Sequence, residues 1–134
     1  MTKVLVDANV ILDIFLDDPE WAEWSEFTLE KLNQDSTLCI NQIIFTEISI
    51  GFSQIKHLES AVSAAGFKIL EFSHETLFLA GKAFLEYRKR GGTKIHPLPD
   101  FYIGAQAAVL NLDLVTRDVS RYRSYFPAVK LISP

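Results

Sequence analysis

Seventeen acidic side chains punctuate this 134-residue chain, and four of them, Asp7, Glu47, Asp100 and Asp118, are poorly explained as solvated surface charge. Most of the others need no special account: Glu23, Glu26 and Glu30 fall on the wet side of one helix. Glu47 shares its helical face with Ile43, Ile44, Ile48 and Ile50, so it points toward the core side. A bare charge there costs several kcal/mol, a sum on the order of a whole protein's stability, unless a basic partner, a proton or a metal compensates it. Asp100 opens a segment that is otherwise nearly all Phe, Tyr, Ile, Ala, Val and Leu. An acid in the first turn after Pro99 also complements the helix dipole, by about 0.3–1 kcal/mol. The small residues Gly104, Ala107 and Ala108, one and two turns further on, let this helix approach another element closely. Asp7 ends an apolar strand and Asp118 follows another; taken alone, Asp118 reads as a turn or cap acid.

Hard divalent cations take oxygen ligands, and two ions about 3.5–4 Å apart can activate a water and stabilise the leaving oxygen of a phosphodiester. Four carboxylates drawn from separated segments suit that chemistry. His57, His74 and His96 lack ligand spacing, which disfavours zinc. Neither a GxSxG elbow nor a glycine-rich phosphate loop occurs. Cys39, the single cysteine, sits in a short apolar run and is expected in the core.

The elements that must position these acids alternate. Residues 3–6, 37–40, 68–72, 114–116 and 129–132 read as strands, from their short apolar, β-branched runs. A helix follows the first strand after a tight turn, and Pro19 is expected to open a second through residue 33. Asn41 is a candidate cap for a helix over 42–52, Gly66 closes one over 55–65, Gly91-Gly92 closes one over 74–90, and 100–111 forms a buried helix. Residues 91–99 form the one long loop, the expected mobile element. Such alternation predicts a single α/β domain over 1–134, with a mainly parallel central sheet between two helical layers. Its ligand site should lie beyond the strands' carboxyl ends, where Asp7 and Asp118 fall.

Charge is divided unevenly. Residues 1–85 carry 5 basic and 13 acidic side chains, whereas 86–134 carry 8 basic and 4 acidic ones. The basic half groups Arg88, Lys89, Arg90, Lys94, Arg117 and Arg121 near the C-terminal acids, either as solvated helix ends or as a phosphate-contacting rim. Acids at 7, 13, 17 and 18 interrupt any signal-peptide core, and the apolar run 101–110 is far shorter than the roughly 20 residues that span a bilayer. A cytoplasmic protein without a membrane segment is expected.

With these residues in view, the chain resembles the PIN-domain family, specifically its VapC-like ribonuclease toxins. The likeness rests on Val6-Asp7-Ala8-Asn9-Val10-Ile11-Leu12-Asp13, on Leu114-Val115-Thr116-Arg117-Asp118, and on Glu47 and Pro99-Asp100 in order between them. It implies an α/β/α sandwich and endoribonuclease activity dependent on Mg2+ or Mn2+. Asp7, Glu47, Asp100 and Asp118 are then the catalytic metal ligands, supported by Asn9 and Thr116. It also implies a homodimer and a cognate antitoxin. Many relatives carry a further acid and then Phe soon after the late strand, where this chain has Arg121-Tyr122; one metal or two is therefore open. Asp13 is expected to be an exposed first-turn acid. Two rivals remain. One is a catalytically inactive PIN-like module that binds RNA or a partner. The other is a phosphoryl-transfer domain, whose nucleophilic Asp usually has a second acid beside it, where this chain has Val6 and Asn9.

Overall fold

In the structure, a computed structural model that describes residues 2–134, five strands form one parallel sheet in the order β3-β2-β1-β4-β5. The strands are β1 (Thr2–Val6), β2 (Ser36–Asn41), β3 (Lys68–Leu70), β4 (Asp113–Val115) and β5 (Leu131–Ile132). Between them run α1 (Ala8–Phe15), α2 (Ala22–Asn33), α3 (Gln42–Ile48), α4 (Ile55–Ala64), α5 (His74–Lys89), α6 (Pro99–Leu110) and α7 (Ser120–Tyr125). Central β1 is buried from Val4 to Val6, as a parallel strand covered on both faces must be. Leu5 pairs with Cys39 on one side and Leu114 on the other. Cys39 is a free, buried core residue, as its surroundings predict.

Strand order reverses between β1 and β4. The chain winds outward from β1 through β2 to β3, then crosses back to β4 and on to β5. Right-handed crossovers in opposite directions put their helices on opposite faces and open a crevice at the carboxyl ends of β1 and β4. Asp7 follows β1, and its amide donates to Val115 O of β4 at 2.9 Å.

Several local expectations are corrected. Pro19 does not open α2, which begins at Ala22. The Asp18 carboxylate accepts from the amides of Glu20 and Trp21, both at 2.9 Å, and Asp17 has φ +50°, so this stretch is a capped turn. Helix α3 ends at Ile48 and passes into a 3-10 turn, Ser49–Gly51, in place of running to residue 52. β3 stops at Leu70. An unforeseen helix, α7, forms from Ser-Arg-Tyr-Arg-Ser-Tyr, which has almost no apolar period; the burial of Tyr122 and Phe126 holds it.

Asp13 is also corrected. It is 3% exposed, in the second turn of α1, and accepts from Arg117 Nε at 2.7 Å, Arg117 Nη2 at 2.8 Å and Ser25 Oγ at 2.8 Å. Its spacing from Val10 places it on the helix's inner side, and Arg117 from the far end of the sequence neutralises it.

Candidate active site

The four acids come from four separate segments of the chain, and all four line one cleft of about 420 Å³ together with Asn9, Leu12 and Ile50. Asp7 leaves β1 in extended conformation (φ −68°, ψ 151°) and caps α1, its Oδ1 accepting from the amide of Ala8 at 2.8 Å. Its Oδ2 accepts from the hydroxyls of Thr116 at 2.8 Å and Tyr122 at 2.9 Å. Asp100 stands in the first turn of α6, directly after Pro99 at the helix start. Asp118 is exposed at the cleft mouth, between β4 and α7. Glu47 reaches in from α3, which Asn41 caps by accepting from Ile44 N at 2.9 Å; Asn41 is fastened in turn to Gln106 of α6 at 2.8 Å.

The electrostatics are adverse for Glu47, Asp7 and Asp100. Glu47 Oε1 is buried without a hydrogen-bond partner. Burial, then the charges of Asp7 and Asp100, push the Glu47 carboxyl up to about 7. Burial also raises Asp7, against the lowering effect of its three hydrogen bonds. Asp100 is raised by burial and by Asp7 and Asp118, partly offset by Arg121, whose Nε lies 3.6 Å from Asp100 Oδ2.

Thr116 and Asn9 meet at the same place. Thr116 Oγ1, fully buried, accepts from the Asp118 amide at 3.1 Å and from Asn9 Nδ2 at 3.3 Å while donating to Asp7. Asn9 Oδ1 accepts from Arg117 N at 3.1 Å. The β4–α7 turn is thereby tied to the first turn of α1. Tyr122 is the participant that sequence reasoning missed. In the sequence it stands out only through the Arg121-Tyr122 departure from the relatives' acid-Phe pattern, yet its hydroxyl lies 3.3 Å from Asp100 Oδ1 as well as against Asp7.

The basic residues divide. Arg117 is spent on Asp13 and lies over the Trp21 ring at 5.2 Å. Arg88 donates to Lys94 O at 3.0 Å, pinning the 91–98 loop, and Arg90 pairs with Glu86 and with Ser124 Oγ. Arg121 borders the cleft through Asp100. The side chains of Lys89 and Lys94 have no polar partner among the described residues.

An all-oxygen donor set with a sequestered, unpartnered carboxylate oxygen and mutually destabilised charges fits a hard divalent cation. Among the described residues no three acid, His or Cys side chains are already close enough to form a complete ligand shell; the four acids line the cleft.

A family model described as "PIN domain" matches residues 4–125. The chain belongs to that family. Solved structures share the fold over nearly the whole chain. VapBC2 from Rickettsia felis, bound to a promoter DNA fragment, is 20% identical with a TM-score of 0.76, covering 99% of each chain. A toxin–antitoxin complex from Klebsiella pneumoniae is 25% identical with a TM-score of 0.69, covering 98% of this chain and 97% of that one. FitAcB from Neisseria gonorrhoeae is 21% identical with the same TM-score and coverage. No curated protein matches the sequence. Among the described residues, no helix is long and apolar enough to cross a membrane.

Proposed function

We propose that this chain is a divalent-metal-dependent endoribonuclease, the toxin of a toxin–antitoxin pair, cutting RNA with Asp7, Glu47, Asp100 and Asp118. The observation that carries the reading is the convergence of four acids from four separate segments on one cleft, with Glu47 Oε1 buried and unpartnered. These residues would hold Mg2+ or Mn2+, which supplies Lewis-acid activation of water and charge neutralisation at the phosphate.

The chain's own residues supply placement. Thr116 and Tyr122 fix the Asp7 carboxylate, and Asn9 braces the turn that carries Asp118. Attack of water on phosphorus with departure of the ribose O3' leaves a 5'-phosphate and a 3'-hydroxyl. Arg121 and the unpaired Lys89 and Lys94 suit phosphate contacts, which carry affinity without sequence information.

A cognate antitoxin is supported by the complexes in which the structural neighbours occur. A homodimer is supported by the exposed Leu77, Phe78 and Leu85 on α5. RNA as substrate and reduced Cys39 agree with a cytoplasmic site of action.

The deciding experiment incubates the purified chain, free of partner, with structured RNA and Mg2+ or Mn2+. Cleavage should appear, stop with EDTA and spare double-stranded DNA. RNA binding without cleavage would favour the inactive binding module, and robust cleavage in EDTA by protein free of contaminating nuclease would overturn the metal mechanism.

A further inference from the structure

We infer that Tyr122 is a positioning residue for the acid cluster, its buried hydroxyl orienting the Asp7 and Asp100 carboxylates and so setting the cluster's affinity for a divalent cation. The inference rests on the proposed function. Tyr122 is 0% exposed, yet its hydroxyl points between two acids, with Asp7 Oδ2 at 2.9 Å and Asp100 Oδ1 at 3.3 Å. A phenol carries one donor proton, so the shorter contact, to Asp7 Oδ2, is the main hydrogen bond and the approach to Asp100 Oδ1 is the weaker, shared one.

A carboxylate oxygen offers about two acceptor directions. Asp7 Oδ2 uses both, on Thr116 and Tyr122, whereas Oδ1 accepts only from the Ala8 amide. Asp7 therefore has its open acceptor direction on Oδ1. Asp100 is approached from α7 at both oxygens, Oδ1 by the Tyr122 hydroxyl at 3.3 Å and Oδ2 by the adjacent Arg121 at 3.6 Å. One short helix thus sets the direction of two acids that lie 93 positions apart in sequence.

The seat of that helix depends on a glycine. A Cβ on Gly104 of α6 would fall 2.3 Å from a ring carbon of Phe126, the residue that ends α7. A side chain there would crowd the Phe126 ring, which packs the end of α7 against α6.

The test titrates metal-free protein with Mn2+, following free Mn2+ by electron paramagnetic resonance, for the parent, Tyr122→Phe, Tyr125→Phe and Gly104→Ala. Removing a hydrogen-bond partner of a ligand typically weakens metal affinity about 10–100-fold, and that loss is expected for Tyr122→Phe. Its EDTA melting curve should stay cooperative, since the ring remains. Tyr125→Phe, whose hydroxyl makes no hydrogen bond among the described residues, should bind within about twofold of the parent, the scatter expected where no ligand's partner is lost. Gly104→Ala keeps every polar group but crowds the Phe126 ring at the end of α7, so it should weaken binding in the same direction; it is the variant to read if Tyr122→Phe fails to fold. Parental Mn2+ affinity in Tyr122→Phe would overturn the inference and leave the proposed function standing. A parent that binds no Mn2+ would overturn both.

Discussion

The guanidinium of Arg117 closes on Asp13 as a fork, Nε to Oδ2 at 2.7 Å and Nη2 to Oδ1 at 2.8 Å, joining α1 to the turn after β4. This pair lies next to the acid cluster in sequence at both ends, but it is a strut of the fold. Planar two-point pairing on a buried carboxylate is among the stronger polar contacts. Arg117 keeps a quarter of its side chain in solvent, so an orphaned guanidinium can turn outward. Asp13→Asn should therefore lose about 1–2 kcal/mol, less than the 3–5 kcal/mol of breaking a fully buried pair. For a chain of this length that is about 4–7 °C in melting temperature. Cleavage measured well below the melt should remain substantial; loss of cleavage with an unchanged melt would move Asp13 into the reacting set.

Asp7→Asn and Asp100→Asn should each reduce RNA cleavage by roughly 100-fold or more, about 3 kcal/mol of transition-state stabilisation, with far-ultraviolet circular dichroism retained. Each removes one negative charge from the cleft that the divalent ion is proposed to need. Near-parental cleavage by either variant would exclude that residue from the site.

Glu47 makes the stability depend on pH. Its folded-state value, about 7, lies above its ordinary value of 4.5. Folded protein then binds more protons than unfolded protein between those values, so stability is fully present below about 4.5 and declines as pH rises through about 7. In EDTA, Glu47→Gln should match the parent near pH 4.5–5 and melt higher above pH 7.5. A variant with the same pH slope as the parent would show that Glu47 titrates normally.

The ammonium groups of Lys89 and Lys94 have no polar partner among the described residues, whereas Arg88 and Arg90 are engaged. Lys89→Ala combined with Lys94→Ala should weaken RNA binding about equally across sequences. The logarithmic salt slope should flatten by about 0.7 per lost contact to single-stranded RNA. Filter binding from 50 to 200 mM salt reads this directly, and an unchanged slope would place the phosphate path elsewhere.

Much of the fold was legible in residue order. Apolar β-branched runs alternating with helical segments, and Asp7 and Asp118 just past two of them, predict a parallel sheet with its site at the carboxyl ends. Asn41 and Gly66 mark helix ends through local chemistry, which short-range patterns carry faithfully. Boundaries were less legible at 17–21, where Asp18 bonds the backbone and holds a turn that Pro19 would suggest is already helix.

By itself, the sequence determined which acids could matter: Glu47 on a face of isoleucines and Asp100 at the head of an apolar helix are anomalies that burial makes expensive wherever the chain folds. Tertiary structure alone decided how they are held. The α7 sequence has almost no apolar periodicity, so the helix and the inward aim of Tyr122 arise from packing against α6 at Gly104. Asp13 looked exposed because its partner, Arg117, lies 104 residues away; two charges cancel through space, and nothing local in sequence records that distance.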